Sequence, residues 1–221
     1  MMKFSYGTNH FKNKEIGQEN CYLLTNGLGG FSTLSIINSI IRNDNGIFIA
    51  ATTAPNIRYN LISKLEEVVY IDNKQYELTS QQYVQHTKNK DGEKYLINFS
   101  QEYLPTWHYI VDGVEIIKTI VLVYGENTLG VKYEIVNHLN KNVSLEVTPT
   151  LQFCEKGWIM EYNQQFDISN NKIIANNIDM NVICDNWNIN IFENLQYEND
   201  IYYSYDAKDG REDVGRFAKG I

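Results

Sequence analysis

WHYIVDGVEIIKTIVLVYGENTLGVKYEIVNHLNKNVSLEVTPTLQF, residues 107–153, decides the fold. Extended, β-branched runs alternate with short polar turns. Asp112-Gly113 is a strong hairpin signal, because the pair tolerates the positive φ that a two-residue turn requires. Gly125-Glu126-Asn127 and Asn140–Asn142 repeat the punctuation. Successive strands thus come at a spacing of about 8–12 residues, which is the rhythm of a β-sandwich or barrel. Parallel strands need long crossovers, and no defensible helix is available to make them, so the sheets are expected to be antiparallel.

Upstream, Asn20–Ala51 reads NCYLLTNGLGGFSTLSIINSIIRNDNGIFIAA. Asn26, Gly27, Gly29 and Gly30 form a sharp turn between two apolar runs, and Gly46 punctuates a second one. The dense isoleucines that follow, Ile36 to Ile41 and Ile47 to Ile49, read as strands buried on both faces. Leu61–Glu67 has a competing helical spacing, but no clear cap or stop, and reads as strand. After Gly157 the strand pattern persists more weakly to about residue 205. Asp206–Ile221 is charged, holds three glycines and has no amphipathic period; it reads as an exit segment leaving the domain. The expected organisation is therefore one large two-sheet antiparallel β-sandwich over 1–205, with 206–221 as a linker.

Composition excludes several functions. The net charge is −8, and Lys and Arg are scattered, which argues against nucleic acid or an anionic membrane as partner. No apolar run is long enough to span a bilayer. The N-terminal stretch has no apolar core and no cleavage site, so a cytoplasmic protein is expected. Cys21, Cys154 and Cys184 are far apart and read as reduced thiols. No Cys or His pair has metal spacing, and no metal is expected. The Asn26–Gly30 turn lacks the third glycine, the helix and the acidic residue of a dinucleotide site, so no cofactor is expected.

No catalytic residue stands out. Glycoside hydrolysis needs two carboxyls facing one another across a pocket. Glu66 and Glu67 are adjacent and point to opposite faces of a strand. Asp206, Asp209, Glu212 and Asp213 read as a solvated charge run. There are 16 Tyr, 9 Phe and 3 Trp, a composition that suits wide sheets and also sugar stacking. Trp107 and Trp158 are the aromatic candidates for sugar or interdomain contact, with core or interface as the plainer reading of each.

An ordered set of motifs resembles the N-terminal domain of bacterial and archaeal glycogen debranching enzymes, the amylo-α-1,6-glucosidase type. The set comprises LLTNGLGGFST, Leu61–Glu67, Asp112–Lys118, Tyr124–Thr128, Val143–Phe153 with Pro149, and the exit residues Tyr203, Asp209-Gly210 and Glu212-Asp213. The resemblance implies a sandwich of the supersandwich type, non-catalytic by itself. It would pack on an (α/α)6 catalytic barrel that this chain does not contain, in an enzyme acting on α-glucans. Arg42 is the third expected contact residue. Where the family reads Thr-Arg-Arg-Tyr-His-Gly, this chain has Ile41-Arg42-Asn43-Asp44-Asn45-Gly46. Where the family carries an Arg and a His after the strand ending at Phe153, this chain has Cys154-Glu155-Lys156-Gly157. The chain looks like a divergent member. The rival reading is a stand-alone carbohydrate-binding or assembly module that has lost its enzyme.

Overall fold

In a computed structural model that describes residues 3–221, the chain is all-β and antiparallel. In chain order the strands are β1 (Phe4–Gly7), β2 (Leu24–Thr25), β3 (Phe31–Thr33), β4 (Gly46–Thr53), β5 (Ile57–Ile71) and β6 (Lys74–Glu77). Next come β7 (Ser80–Gln81), β8 (Lys90–Asp91), β9 (Leu96–Gln101), β10 (Pro105–Val111), β11 (Val114–Leu122) and β12 (Leu129–Val136). The last are β13 (Val143–Glu155), β14 (Asp167–Ser169), β15 (Lys172–Ala175), β16 (Ile178–Asn181), β17 (Gln196–Tyr202) and β18 (Val214–Lys219). The helices α1 (Lys14–Gly17) and α2 (Ser204–Lys208) are single turns.

A five-stranded sheet, β1-β9-β10-β11-β12, faces an eight-stranded one, β17-β18-β13-β5-β4-β3-β2 with β6 also on β5. Leu61–Glu67 lies within β5, a strand, because its residues are buried on both faces and its backbone pairs with β4 and β13. In β11 burial alternates strictly: Val114, Ile116, Lys118, Ile120 and Leu122 face the other sheet. A lysine therefore occupies a core position.

The isoleucine run at 36–41 is buried, as its composition requires, yet only Ile47–Ile49 belong to a strand. Residues 35–39 close a tight turn instead. Ser35 Oγ donates to the Ser39 carbonyl (3.0 Å), the Ser39 amide donates to Ser35 Oγ (3.0 Å), and Asn38 supplies a φ of 58°. A buried loop must satisfy its backbone by other means. Here Gln81 both accepts from the Ile40 amide and donates to the Ile40 carbonyl, each at 3.0 Å. Trp107 Nε1 donates to the Ile36 carbonyl at 2.7 Å.

The reading of 206–221 as a linker is corrected. Asp206 is buried within α2, and β18 pairs with both β13 and β17 inside the eight-stranded sheet. Burial on both faces removes the polar-apolar alternation that marks a half-exposed strand. Two of its glycines are packing positions: a Cβ at Gly215 would meet Tyr203 Oη at 1.8 Å, and one at Gly220 would meet Ile168 Cδ1 at 2.2 Å.

The Asn26–Gly30 turn joins β2 to β3 and also ties the two sheets. Asn26 Oδ1 accepts from the Leu28 amide (2.9 Å), while its Nδ2 reaches the Glu126 carbonyl (2.9 Å) and Asn127 Oδ1 (3.0 Å). Asn127 in turn bonds both the amide and the carbonyl of Ala51. Gly29 has a φ of 103°, and a Cβ there would stand 2.7 Å from the Pro55 carbonyl oxygen. Gly29→Ala combines left-handed strain with a backbone clash and is expected to cost about 2 kcal/mol or more in urea unfolding. Gly7→Ala, with open space at its Cβ, should lie within about 0.5 kcal/mol of the parent.

Candidate functional site

Three segments distant in sequence converge at one end of the eight-stranded sheet: the turn 42–46, the loop after β13, and α2 with its C-terminal turn. Arg42 Nη1 lies 2.5 Å from Asp209 Oδ2 and 3.1 Å from Asp206 Oδ1. Asp206 Oδ2 accepts from the Asn43 amide at 2.7 Å, and Arg211 Nη1 stands 3.2 Å from Asp206 Oδ1. Asp206 is 1% exposed and thus a buried carboxylate held by two guanidiniums and a backbone amide. Arg42 also lies over the Tyr205 ring, 5.5 Å from its centroid. The bond to Asp209 is the main reason that the Arg42 guanidinium is held above its ordinary pKa, with Asp206 adding to it against partial burial.

Asp44 links this turn to the loop after β13. Its Oδ1 is 2.8 Å from Lys156 Nζ and its Oδ2 is 3.6 Å from Arg211 Nη2. Burial opposes ionisation of this carboxyl, but Lys156 and Arg211 together outweigh it and lower its pKa. The two places where the chain departs from the debranching-enzyme pattern, 43–45 and 154–157, are therefore in contact with each other through an ion pair.

Beside this rim lies a hollow of about 400 Å³. Leu23, Phe31 and the glycine backbone of the 27–30 turn form its apolar wall, with Arg58 and Lys156 at its polar side. Glycine lets the wall be bare backbone, so an apolar group can approach closely. Arg58 donates through Nε to the Pro55 carbonyl (3.2 Å) and lies 6.0 Å from the Phe31 ring centroid. Trp158, two residues beyond Lys156, is 70% exposed. The loop bearing it is pinned at both sides: Cys154 Sγ donates to the Trp158 carbonyl (3.3 Å), and Arg216 bonds the Met160 carbonyl (2.6 Å) while stacking 3.5 Å from the Tyr162 ring centroid.

The structure thus brings Arg42, Trp158, Gly46 and the Asn26–Gly30 turn to one end of the molecule and leaves Trp107 elsewhere. Trp107 as a sugar or interdomain contact is corrected. It is fully buried between the sheets, edge-on to Tyr22 at 5.2 Å, and its one polar atom is used by Ile36. Its place in the alternating β10 pattern, flanked by the half-buried Thr106 and His108, already carried that signal. Arg58 carried no signal in the sequence, Asp206 reads there as part of a solvated charge run, and Asp44 and Lys156 stand out only within the departures at 41–46 and 154–157.

Glu66 and Glu67 do lie on opposite faces of β5, each in ion pairs with lysine. Glu67 Oε1 is 2.6 Å from Lys118 Nζ and accepts from Tyr133 Oη at 2.7 Å. Glu66 pairs with Lys219 (2.6 Å), Lys90 (2.9 Å) and Lys64 (3.7 Å). Among the described residues no group of three or more His, Cys, Asp or Glu is placed to hold a metal ion, and no helix is long and apolar enough to cross a membrane.

No curated protein and no solved structure matches the chain. The family model of the glycogen debranching enzyme N-terminal region, however, matches residues 20–219. The match runs from just before the glycine turn through the last strand of the sandwich, and so includes every segment of the converging rim. By that match the chain belongs to the family of glycogen debranching enzyme N-terminal domains.

Proposed function

We propose that this chain is the non-catalytic β-sandwich of a debranching-type glycoside hydrolase, of amylo-α-1,6-glucosidase activity on α-glucans. It packs on an (α/α)6 catalytic domain through the Arg42–Trp158 end. The observation that carries the reading is the exposed indole of Trp158 on a pinned loop, beside an apolar hollow and a rim of paired charges. A large aromatic side chain with fixed backbone, rimmed by Arg and Lys, is the composition of an interface anchor. The adjacent carboxylates Glu66 and Glu67 oppose one another across a strand rather than across a pocket, so they do not supply the acid and base of glycoside hydrolysis. Three free thiols, with Cys154 buried, accord with a cytoplasmic enzyme.

The purified chain should release no sugar from branched glucan or maltooligosaccharides. It should associate in gel filtration with a separately expressed debranching-family catalytic domain, and Trp158→Ala should weaken that association at least about tenfold, as loss of a central aromatic anchor does. Turnover by the chain alone, or association indifferent to both Trp158→Ala and Arg42→Ala, would overturn the reading. The hollow between Phe31 and Arg58 gives some support to the rival, a stand-alone carbohydrate-binding module. Maltooligosaccharide binding abolished by Trp158→Ala, with no association, would favour that rival.

A further inference from the structure

The five-stranded sheet ends in β12, which pairs with β11 on one side and with no strand on the other. Of the strands at the ends of the two large sheets, it offers the longest open edge. It has eight residues, against four in β1 and two in β2. The edge of β17 is partly covered, since Tyr83 pairs with Ile201 and the Tyr202 amide donates to the Gln82 carbonyl at 3.0 Å. The turn before β12 sets the phase of its hydrogen bonds. The Val123 amide donates to the Thr128 carbonyl at 3.0 Å, and the pairing runs without a register shift to Glu115 and Val136. In an antiparallel pair alternate residues bond the same neighbour. Gly130, Lys132, Glu134 and Val136 therefore direct their amides and carbonyls to β11. Leu129, Val131, Tyr133 and Ile135 turn theirs to the open side, where no backbone group among the described residues meets them.

The side chains follow the same alternation. Lys132 and Glu134 are exposed on the outer face of the sheet, with their charges 2.9 Å apart. Val131, Tyr133 and Ile135 belong to the inner face, opposite Ile120, Lys118 and Ile116 of β11. Ile135 is nevertheless 39% exposed, whereas Ile116 beside it is fully buried. Trp187, its ring centroid 5.9 Å from that of Tyr133, is exposed at the same border. The edge thus combines open backbone groups, an incompletely covered apolar row and an outer row of one cation and one anion.

We propose that β12 pairs with β12 of a second copy of this chain, antiparallel about a two-fold axis at Tyr133, so that two five-stranded sheets become one. A two-fold contact must be complementary to itself, and this edge is. With Tyr133 facing Tyr133, the open amide and carbonyl of Val131 meet those of Ile135, and Lys132 stands opposite Glu134 on both sides of the axis. The neighbouring registers that also bring open groups together set Lys132 against Lys132 or Glu134 against Glu134. Like charges directly opposite one another destabilise a sheet. Charges on an edge strand usually keep other edges away; one of each sign, two residues apart, instead selects a single register. The contact uses none of the residues at the Arg42–Trp158 end and is independent of docking there.

The test is analytical ultracentrifugation of the full chain together with amide hydrogen exchange at low and high protein concentration. The chain should show a monomer–dimer equilibrium in the micromolar to millimolar range, as a small interface gives. Exchange should slow with concentration at 131, 133 and 135 but not at 130, 132 and 134, which β11 already protects. Lys132→Glu and Glu134→Lys, both at exposed positions, should each weaken self-association at least about tenfold. An equimolar mixture of the two variants should form a heterodimer, because every opposed pair is then Glu with Lys. The proposal is overturned if the chain stays monomeric throughout, if a dimer forms that is indifferent to both variants, or if the odd-numbered amides gain no protection in it. It is also overturned if those amides are protected only when a debranching-family catalytic domain is added, which would give the edge to that domain.

Discussion

Lys118→Ala should be among the most damaging single substitutions in the chain, with an expected loss of about 3–5 kcal/mol in urea unfolding. Lys118 and Glu67 are each 1% exposed, and their charges meet at 2.6 Å between the two sheets. The surroundings are organised for the pair. Tyr133 donates to Glu67, Asn38 Oδ1 stands 3.5 Å from Lys118 Nζ, and the ammonium lies 5.2 Å from the centroid of the Trp107 ring. Burial first, and Glu67 second, push the Tyr133 hydroxyl well above its ordinary pKa, which keeps it a donor. Removing the lysine strands a dehydrated carboxylate whose Oε2 already lacks a partner. The loss measures the orphaned charge rather than the worth of the pair. The combination Glu67→Leu, Lys118→Met and Tyr133→Phe should therefore recover most of it, because an apolar core of similar volume no longer has to solvate anything. A loss below about 1 kcal/mol for Lys118→Ala would contradict a dehydrated pair.

That pair was legible in principle and shows where reading the chain alone stops. The alternation of β11 places Lys118 in register with Ile116 and Ile120, so an inward lysine could be read from the pattern. Its partner could not, because Glu67 is 51 positions away in the other sheet and pairing across sheets leaves no periodic trace. The two hairpins from Trp107 to Val136 were legible because turn chemistry is local, with Asp112 and Gly113 at φ values of 48° and 80°, whereas the 140–142 turn carries the chain into the other sheet. The isoleucine run at 36–41 shows the converse. Its hydrophobicity reported burial correctly, but its conformation is set by Ser35, Asn38, Ser39 and the distant side chain of Gln81. The rim behaves the same way. Arg42 was legible as a candidate, whereas its partners Asp206 and Asp209 come from a segment whose two-sided burial disguised it as a linker. Function was legible at the level of family through ordered motifs. The ion pair between Asp44 and Lys156 was not legible, because its partners lie 112 positions apart.

The other face of β5 should make stability fall steeply in acid. Glu66 is buried, which by itself disfavours its ionised form, but the ammoniums of Lys64, Lys90 and Lys219 outweigh burial and lower its pKa from 4.5 to about 2. A carboxyl depressed on folding stabilises the native state above its unfolded pKa and loses that contribution as pH falls toward the folded value. The window is therefore pH 4.5 down to about 2, and the contribution at stake is about 3 kcal/mol from the size of the shift. The alkaline side should differ, because two lysines shifted in opposite directions titrate there in successive ranges. Burial lowers the pKa of Lys64 to about 8, so its charge costs stability in neutral solution and that cost is relieved as pH rises toward 10.5. Lys219 is also buried, but Glu66 and Glu198 more than compensate and raise its pKa; its contribution is fully present up to the ordinary lysine value of 10.5 and is lost only above it, after the relief at Lys64 is complete. Urea midpoints of the parent and of Glu66→Gln between about pH 2.5 and 7 would separate the cluster from general acid effects, since carboxylates elsewhere titrate in both proteins. The stability gap between them should be largest near neutrality and shrink as the parent's Glu66 protonates. A gap that stays constant with pH would mean that Glu66 titrates as an ordinary carboxyl and that its three lysines do not act on it.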